Sequence, residues 1–246
     1  MLKIILPLAG SSDLFQKAGF PYPKPLIDIK GKPMIEWVIE STKSIGISTQ
    51  IIFIIKEEDS RAYHLDNTLK LLDSNCEIVK LKSNTKGGLC SVLMAIDAIE
   101  DDDSILILNS DQIIDENLSL IHSFWEQKKS DVGIVTFKSV HPRWSYALTE
   151  ENEIIQTAEK NPISNQAIAG YYYFNSAKLF FECAFQTIIN DVQTDGMFYI
   201  SPVINEFILR NKKVHYYPIA NEQYHSFYSP KLVTEFESKK DGIREI

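Results

Sequence analysis

Cysteine is scarce in this 246-residue chain, which holds only Cys76, Cys90 and Cys183. Three thiols, odd in number and far apart, exclude a compact disulfide framework and a thiolate metal cluster; they fit a reducing compartment where each is a small core filler. Long apolar runs are also missing. The stretch 1–8 is broken by Lys3 and Pro7, and nothing elsewhere approaches the ~20 apolar residues of a membrane span, so no signal peptide and no anchor are expected. Basic charge is in deficit, with 25 Lys and Arg against 33 Asp and Glu and a net charge of −8. That balance repels nucleic-acid backbones and anionic membrane surfaces, and it leaves a small ligand in a local pocket as the partner to expect. The expected location is the cytoplasm. At 44% hydrophobic and 24% charged residues, the composition is that of an ordinary globular chain.

What is present is an alternation of strand and helix. Leu2, Ile4, Ile5 and Leu6 lead into Pro7-Leu8-Ala9-Gly10, a buried strand ending in a small-residue turn, and a loop follows through Lys24. Pro33 opens a helix that Gly46 ends. A β-branched strand over 50–55, a helix over 58–72 and an alternating strand over 76–81 complete a βαβαβ pattern. Gly87 and Gly88 precede a helix over 89–99, and Asp101, Asp102 and Asp103 read as a solvated turn before a strand over 105–109. After a helix around 118–127, short strands over 132–138, 146–148, 154–157 and 169–174 predict an antiparallel or mixed second half. Helices over 177–189 and 202–210, a strand over 214–219 and a helix near 230–239 close the pattern. Such alternation implies a parallel sheet with right-handed crossovers and a ligand crevice beyond the carboxyl ends of its strands.

Residues with chemistry cluster where strands are expected to end. Lys24, between Pro23 and Pro25, reads alone as a solvated loop lysine or as a restrained one with little freedom except to point its ammonium at a phosphate. Asp111 follows the strand Leu106-Ile107-Leu108-Asn109, a place to coordinate Mg²⁺ on triphosphate oxygens or to cap the next helix. Thr85-Lys86-Gly87-Gly88 is a turn whose glycines would let the backbone approach a flat ring. Glu159-Lys160-Asn161-Pro162 and Ala169-Gly170-Tyr171 follow; read locally, they are an exposed ion pair and a strand glycine marking a bulge. Tyr199 and Asn205 could line a pocket or cap the helix after them.

In their order, Leu6-Pro7-Leu8-Ala9-Gly10, Tyr22-Pro23-Lys24-Pro25-Leu26, Gly31-Lys32-Pro33-Met34-Ile35, Asn109-Ser110-Asp111 and Glu159-Lys160 resemble the sugar-1-phosphate nucleotidyltransferase family, glucose-1-phosphate thymidylyl- and uridylyltransferases in particular. The resemblance spans residues 1 to about 220. It implies an α/β Rossmann-like fold of the GT-A type, with a central, mostly parallel mixed sheet flanked by helices. One domain over 1–246 would comprise a nucleotide-binding half (1–130), an acceptor-binding half (131–220) and a C-terminal helical segment (221–246). It further implies Mg²⁺ on Asp111 and catalytic roles for Lys24, Asp111 and Lys160. Nucleotide contacts would come from Leu8, Ala9, Gly10, Thr85, Gly87 and Gly88, and acceptor contacts from Asn109, Glu159, Lys160, Gly170 and Tyr199. The reaction implied is nucleotidyl transfer from a nucleoside triphosphate to a sugar 1-phosphate with release of pyrophosphate, feeding polysaccharide or capsule synthesis; a homo-oligomer is left open.

Two departures stand out. The loop Ser11-Ser12-Asp13-Leu14-Phe15 lacks the family's arginine, with Leu14 at its place and Lys17 the nearby cation, and no acidic residue lies between Gln223 and Thr234. The alternative is therefore a catalytically impaired relative that binds a nucleotide or sugar nucleotide in a regulatory or scaffold role. A glycosyltransferase would want an Asp-x-Asp motif, and Asn109-Ser110-Asp111 offers one carboxylate.

Overall fold

Isoleucine and leucine bury the first strand, β1 (Leu2–Pro7), on both faces, and the fold is laid around it. The structure, a computed structural model, describes residues 1–238. From the N-terminus the chain continues with α1 (Asp13–Lys17), β2 (Asp28–Ile29), β3 (Lys32–Pro33), α2 (Met34–Thr42), β4 (Thr49–Lys56), α3 (Glu57–Tyr63), α4 (Leu65–Leu72) and β5 (Glu77–Leu81). Next come α5 (Gly88–Leu93), β6 (Ser104–Leu108), β7 (Gln112–Ile114), α6 (Leu118–Lys128), β8 (Val132–Lys138), β9 (Tyr146–Glu150) and β10 (Glu153–Ala158). The remainder is β11 (Gln166–Phe174), α7 (Ala177–Ile189), α8 (Val203–Leu209), β12 (Val214–Pro218), β13 (Tyr224–Ser226) and α9 (Pro230–Ser238).

Among the described residues the main sheet has nine strands in the order β5-β4-β1-β6-β11-β8-β12-β10-β9. β5, β4, β1 and β6 are mutually parallel, so their carboxyl ends open at one edge. β11 then runs antiparallel between β6 and β8, β12 is parallel to β8, and β10 and β9 are antiparallel. The sheet thus crosses from the first half into the second without a break. Alternate side chains feed two cores. Leu2, Ile4 and Leu6 of β1 pack with Met34 and Val38 of α2, Leu65 and Leu69 of α4, and Ile121 and Trp125 of α6. Ile5 packs instead with Leu89 and Val92 of α5, Phe180 of α7 and Phe207 of α8. This is the α/β sheet flanked by helices that the sequence implies, each buried Ile or Leu contributing about 1.5–3 kcal/mol relative to exposure.

Several local expectations are corrected. The helix expected over 58–72 is two helices, because His64 takes a left-handed φ of 53° between α3 and α4. The helix expected to reach residue 99 stops at Leu93 and resumes as a 3-10 turn, Ile96–Ala98. The loop before Lys24 contains α1. The aspartate turn is not wholly solvated: Asp103 is 5% exposed, accepts a hydrogen bond from the Glu100 N–H at 3.0 Å and lies 3.7 Å from Lys3 Nζ. Cys183 is buried as expected of a core filler, whereas Cys76 and Cys90 are half-buried. The small pair β7–β13 was not anticipated. Lys239, at the end of the helix expected near 230–239, lies outside the described residues, as does the rest of 239–246. No described helix is long and apolar enough to cross a membrane.

Where β8 meets α6, Trp125 lies over the sheet, stacked on Tyr173 at 5.3 Å with rings 9° apart. Gly133 of β8 sits beneath it, and a Cβ there would overlap the Trp125 ring. Gly133→Ala should therefore destabilise the fold by about 1–3 kcal/mol in urea unfolding. Combined with Trp125→Phe, which shrinks the obstructing ring, the loss should be smaller than the sum of the single losses. Additive losses would show that the ring is not the obstacle.

Candidate functional site

The parallel strands β1, β4 and β6 end at one edge, and the loops leaving them surround an open cleft of about 810 Å³. Its floor is tied together by hydrogen bonds to backbone carbonyls. Leu8 N–H donates to the Ile54 carbonyl at 2.8 Å, and Ser110 Oγ donates to the Pro7 carbonyl at 3.0 Å, fixing the ends of β4 and β6 against that of β1. Leu8 is buried in the core, while half-buried Ala9 and exposed Gly10 line the cleft.

Lys24 begins a 3-10 turn, Lys24–Leu26, with Pro25 inside it, and its N–H is held by Ser12 Oγ at 2.9 Å. So fixed, Lys24 Nζ reaches Asp111 Oδ2 at 2.8 Å, both side chains being about one-sixth exposed. The two residues expected to act on phosphate and metal thus meet each other. Asp111 does not cap a following helix, since β7 comes next; its carbonyl accepts the Phe227 N–H at 2.6 Å, so the segment after β13 closes under the cleft. Among the described residues no group of three or more His, Cys, Asp or Glu could hold a metal ion. One carboxylate at the cleft floor suits an ion that keeps water and substrate oxygens as most of its ligands, as Mg²⁺ does, and does not suit an all-protein cage.

Thr85, Gly87 and Gly88 line the same cleft. Thr85 Oγ1 bonds the Gly87 carbonyl at 3.1 Å and Ser91 Oγ at 2.7 Å, pinning the turn. Gly87, at φ 109°, has a reason of its own: a Cβ would overlap the Phe198 backbone, whose N–H donates to the Lys86 carbonyl at 2.8 Å. Gly88 has open space around it. Gly170 is at φ 61° in a bulge of β11, and the atoms a Cβ would meet are the Asn109 amide and Gln112 Oε1. Its space is thus occupied by Asn109, whose N–H donates to the Gly170 carbonyl at 2.9 Å; Asn109 lines the cleft as a result.

Across the cleft, Glu159 and Lys160 follow β10, with Lys160 in a left-handed turn at φ 53°. They are not an idle surface pair. Lys160 Nζ binds Asp195 Oδ2 at 2.8 Å and lies 5.0 Å from the Tyr199 ring centroid. Its ammonium is held well above the usual lysine range by the Asp195 hydrogen bond, with Tyr199 adding to it. Glu159 accepts from Ser145 Oγ and, at 2.7 Å, from Ser201 Oγ. Burial pushes its carboxyl up, against the lowering effect of the two serines and Lys160. Tyr199 lines the cleft. Asn205 neither lines it nor caps a helix: Asn205 Oδ1 accepts from Thr157 N–H at 2.8 Å and Nδ2 donates to the Thr157 carbonyl at 3.0 Å, locking α8 to β10.

The arginine-free loop lies at the cleft mouth, where Asp13 lines it and Leu14 is 45% exposed. Lys17 is not among the lining residues. Sequence reasoning missed Arg143, Trp144 and Tyr224, all of which line the cleft, and the pairing of Lys160 with Asp195. The available signal was an arginine next to a tryptophan inside the stretch Phe137 to Ala147, where similarity to the family already ran.

A sequence model of the nucleotidyl transferase family matches residues 20–221. The chain is 28% identical over 191 residues to the bifunctional protein GlmU of Methanocaldococcus jannaschii, covering 76% of this chain and 43% of that protein. It spans about half the length of the first curated relatives it matches. The nucleoside-diphosphate-sugar pyrophosphorylase from Vibrio cholerae superposes with a TM-score of 0.85 at 27% identity, over 95% of this chain and 99% of that one. A UDP-glucose pyrophosphorylase complexed with UDP-glucose shares the fold, with a TM-score of 0.77 at 17% identity over 96% of this chain and 97% of that one.

The buried Glu159 carboxyl gives the site a pH signature. Because its proton is held to higher pH in the fold than in the unfolded chain, the stability it contributes is full below the ordinary carboxylate range and falls as pH rises toward the raised value. The stability of the wild type minus that of Glu159→Gln should therefore decline across that window and be level on either side. Urea unfolding of both proteins through a pH series checks this; a difference that rises with pH contradicts it.

Proposed function

Since the chain belongs to the nucleotidyl transferase family, we propose that it transfers a nucleotidyl group from a nucleoside triphosphate to a sugar 1-phosphate or a similar phosphorylated small molecule, releasing pyrophosphate. The observation that carries this reading is the convergence of Lys24, Asp111 and Lys160 on one cleft at the carboxyl ends of β1 and β6. An acceptor phosphate oxygen attacks the α-phosphorus; that P–O bond forms as the bond to the bridging oxygen breaks, and the electron pair leaves with pyrophosphate. The nucleophile is already an anion, so no general base is needed. Rate then comes from positioning and charge neutralisation.

In this reading Lys24 neutralises triphosphate oxygens, and Lys160, cross-cleft, holds the acceptor phosphate once Asp195 releases it. Asp111 would hold Mg²⁺, whose chemistry when bound is to neutralise phosphate charge. Ala9, Gly10, Thr85, Gly87 and Gly88 present backbone to the nucleotide, with Leu8 anchoring the turn from the core. Asn109, Glu159 and Tyr199 border the acceptor, and Gly170 keeps Asn109 in place. A role in supplying nucleotide sugars for polysaccharide or capsule synthesis in the cytoplasm accords with this chemistry.

Leu14 favours a second reading. Without a clamping arginine the rate can fall about 10³-fold, and Asp13 adds a negative charge to the same mouth, so the chain would bind a nucleotide or sugar nucleotide and act as a regulatory or scaffold subunit. Thermal shift with a panel of nucleoside triphosphates and sugar nucleotides plus magnesium chloride, followed by pyrophosphate-release assays with sugar 1-phosphates, separates the two. Asp111→Ala should abolish the magnesium dependence of triphosphate binding. Leu14→Arg combined with Asp13→Ser should raise pyrophosphate release if the cleft is a transferase site. Brisk wild-type turnover insensitive to both changes would contradict the assignment of that loop.

A further inference from the structure

Resting on the reading of the cleft as a triphosphate site, we infer that Arg143 is the phosphate clamp of this chain, supplied from the acceptor side of the cleft in place of the cation that the Ser11–Phe15 loop lacks. Among the described residues four cations line the cleft: Lys24, Lys56, Arg143 and Lys160. Three are already engaged. Lys24 lies 2.8 Å from Asp111, Lys56 3.6 Å from Glu58 and Lys160 2.8 Å from Asp195. Arg143 has no carboxylate partner among the described residues, so its charge is uncommitted.

Its position is nonetheless built. The loop between β8 and β9 folds on itself: His141 N–H donates to Ser139 Oγ at 3.2 Å, Arg143 N–H to His141 Nδ1 at 3.3 Å, Trp144 N–H to the His141 carbonyl at 3.3 Å, and Tyr146 OH to that same carbonyl at 2.6 Å. The guanidinium lies 4.1 Å from the Trp144 ring centroid. Trp144 meets Phe137 and Tyr224 edge-on at 5.4 and 5.5 Å, and those two rings stack at 4.4 Å. Three aromatic rings therefore hold up one exposed cation, whose stacking leaves the N–H fork free for anions.

The same aromatic group points to which anion. Tyr224 OH donates to Gln112 Oε1 at 2.9 Å, and Gln112 is the neighbour of Asp111. Burial pushes the Tyr224 hydroxyl up, Asp111 adds to that shift and Arg143 opposes it, so both charges act on one hydroxyl. Arg143 is thus joined through Trp144, Tyr224 and Gln112 to the end of the cleft marked by Asp111. A guanidinium fork grips two phosphate oxygens at once, which no lysine here can do.

Inorganic tripolyphosphate with magnesium chloride tests this without knowledge of the base. Arg143→Ala should weaken its binding about tenfold to a hundredfold and flatten its salt dependence, and Arg143→Lys should lie between that variant and the wild type. The ligand-free unfolding midpoint should barely move, because the side chain is exposed and its contact among the described residues is with Trp144 of its own loop. Tripolyphosphate binding that survives Arg143→Ala within twofold overturns the clamp and leaves the reading of the cleft standing. Loss of sugar 1-phosphate binding with tripolyphosphate binding intact also overturns it. A wild type that binds neither tripolyphosphate nor any nucleoside triphosphate overturns the clamp and the cleft reading together.

Discussion

The contact between Lys24 and Asp111 constrains everything at the floor of the cleft. It joins segments 87 residues apart, and it is framed by Ser12, which holds the Lys24 N–H, and by Pro7 and Phe227, which hold the segment around Asp111. With no ligand, the two charges compensate each other. A partly buried pair of this kind contributes little net stability once desolvation is counted, so its members can exchange partners at small cost. Phosphate on Lys24 and a cation on Asp111 would replace one compensated arrangement by another. Lys160 and Asp195 repeat the design at the opposite wall.

The sequence made the sheet legible where side-chain period alone decides the structure. The strand over 50–55 and the helix over 177–189 match β4 and α7 closely, because each buries an apolar set whose spacing has one solution. The break at His64 was not legible, since a single left-handed residue leaves the apolar spacing of α3 and α4 intact on either side. Nor was the burial of Asp103, which depends on Lys3 and the turn at Glu100 coming together in the fold.

The candidate site divides along the same line. Lys24, Asp111 and Lys160 at strand ends and turns, and Gly170 inside a strand, could be named because motifs fix their places. Their partners could not. Asp195 meets Lys160 from 35 residues away, and the Arg143 loop gains its meaning from Tyr224, brought beside it by the pairing of β13 with β7. Gly170 shows the limit most clearly: its place in a bulge was legible, and the Asn109 amide that fills the space beside it was not.

The strand order also has a consequence for how the chain is made. β1, β4, β5 and β6 lie within the first 108 residues and can pair as they leave the ribosome. β6, however, then presents an edge of Ile105, Leu106, Ile107 and Leu108 whose partner, β11, begins only at Gln166. During that interval the nascent chain carries a bare apolar edge, the kind that recruits other chains. A chaperone acting between those two points would shield that edge until β11 arrives, and slowed translation there would lengthen its exposure.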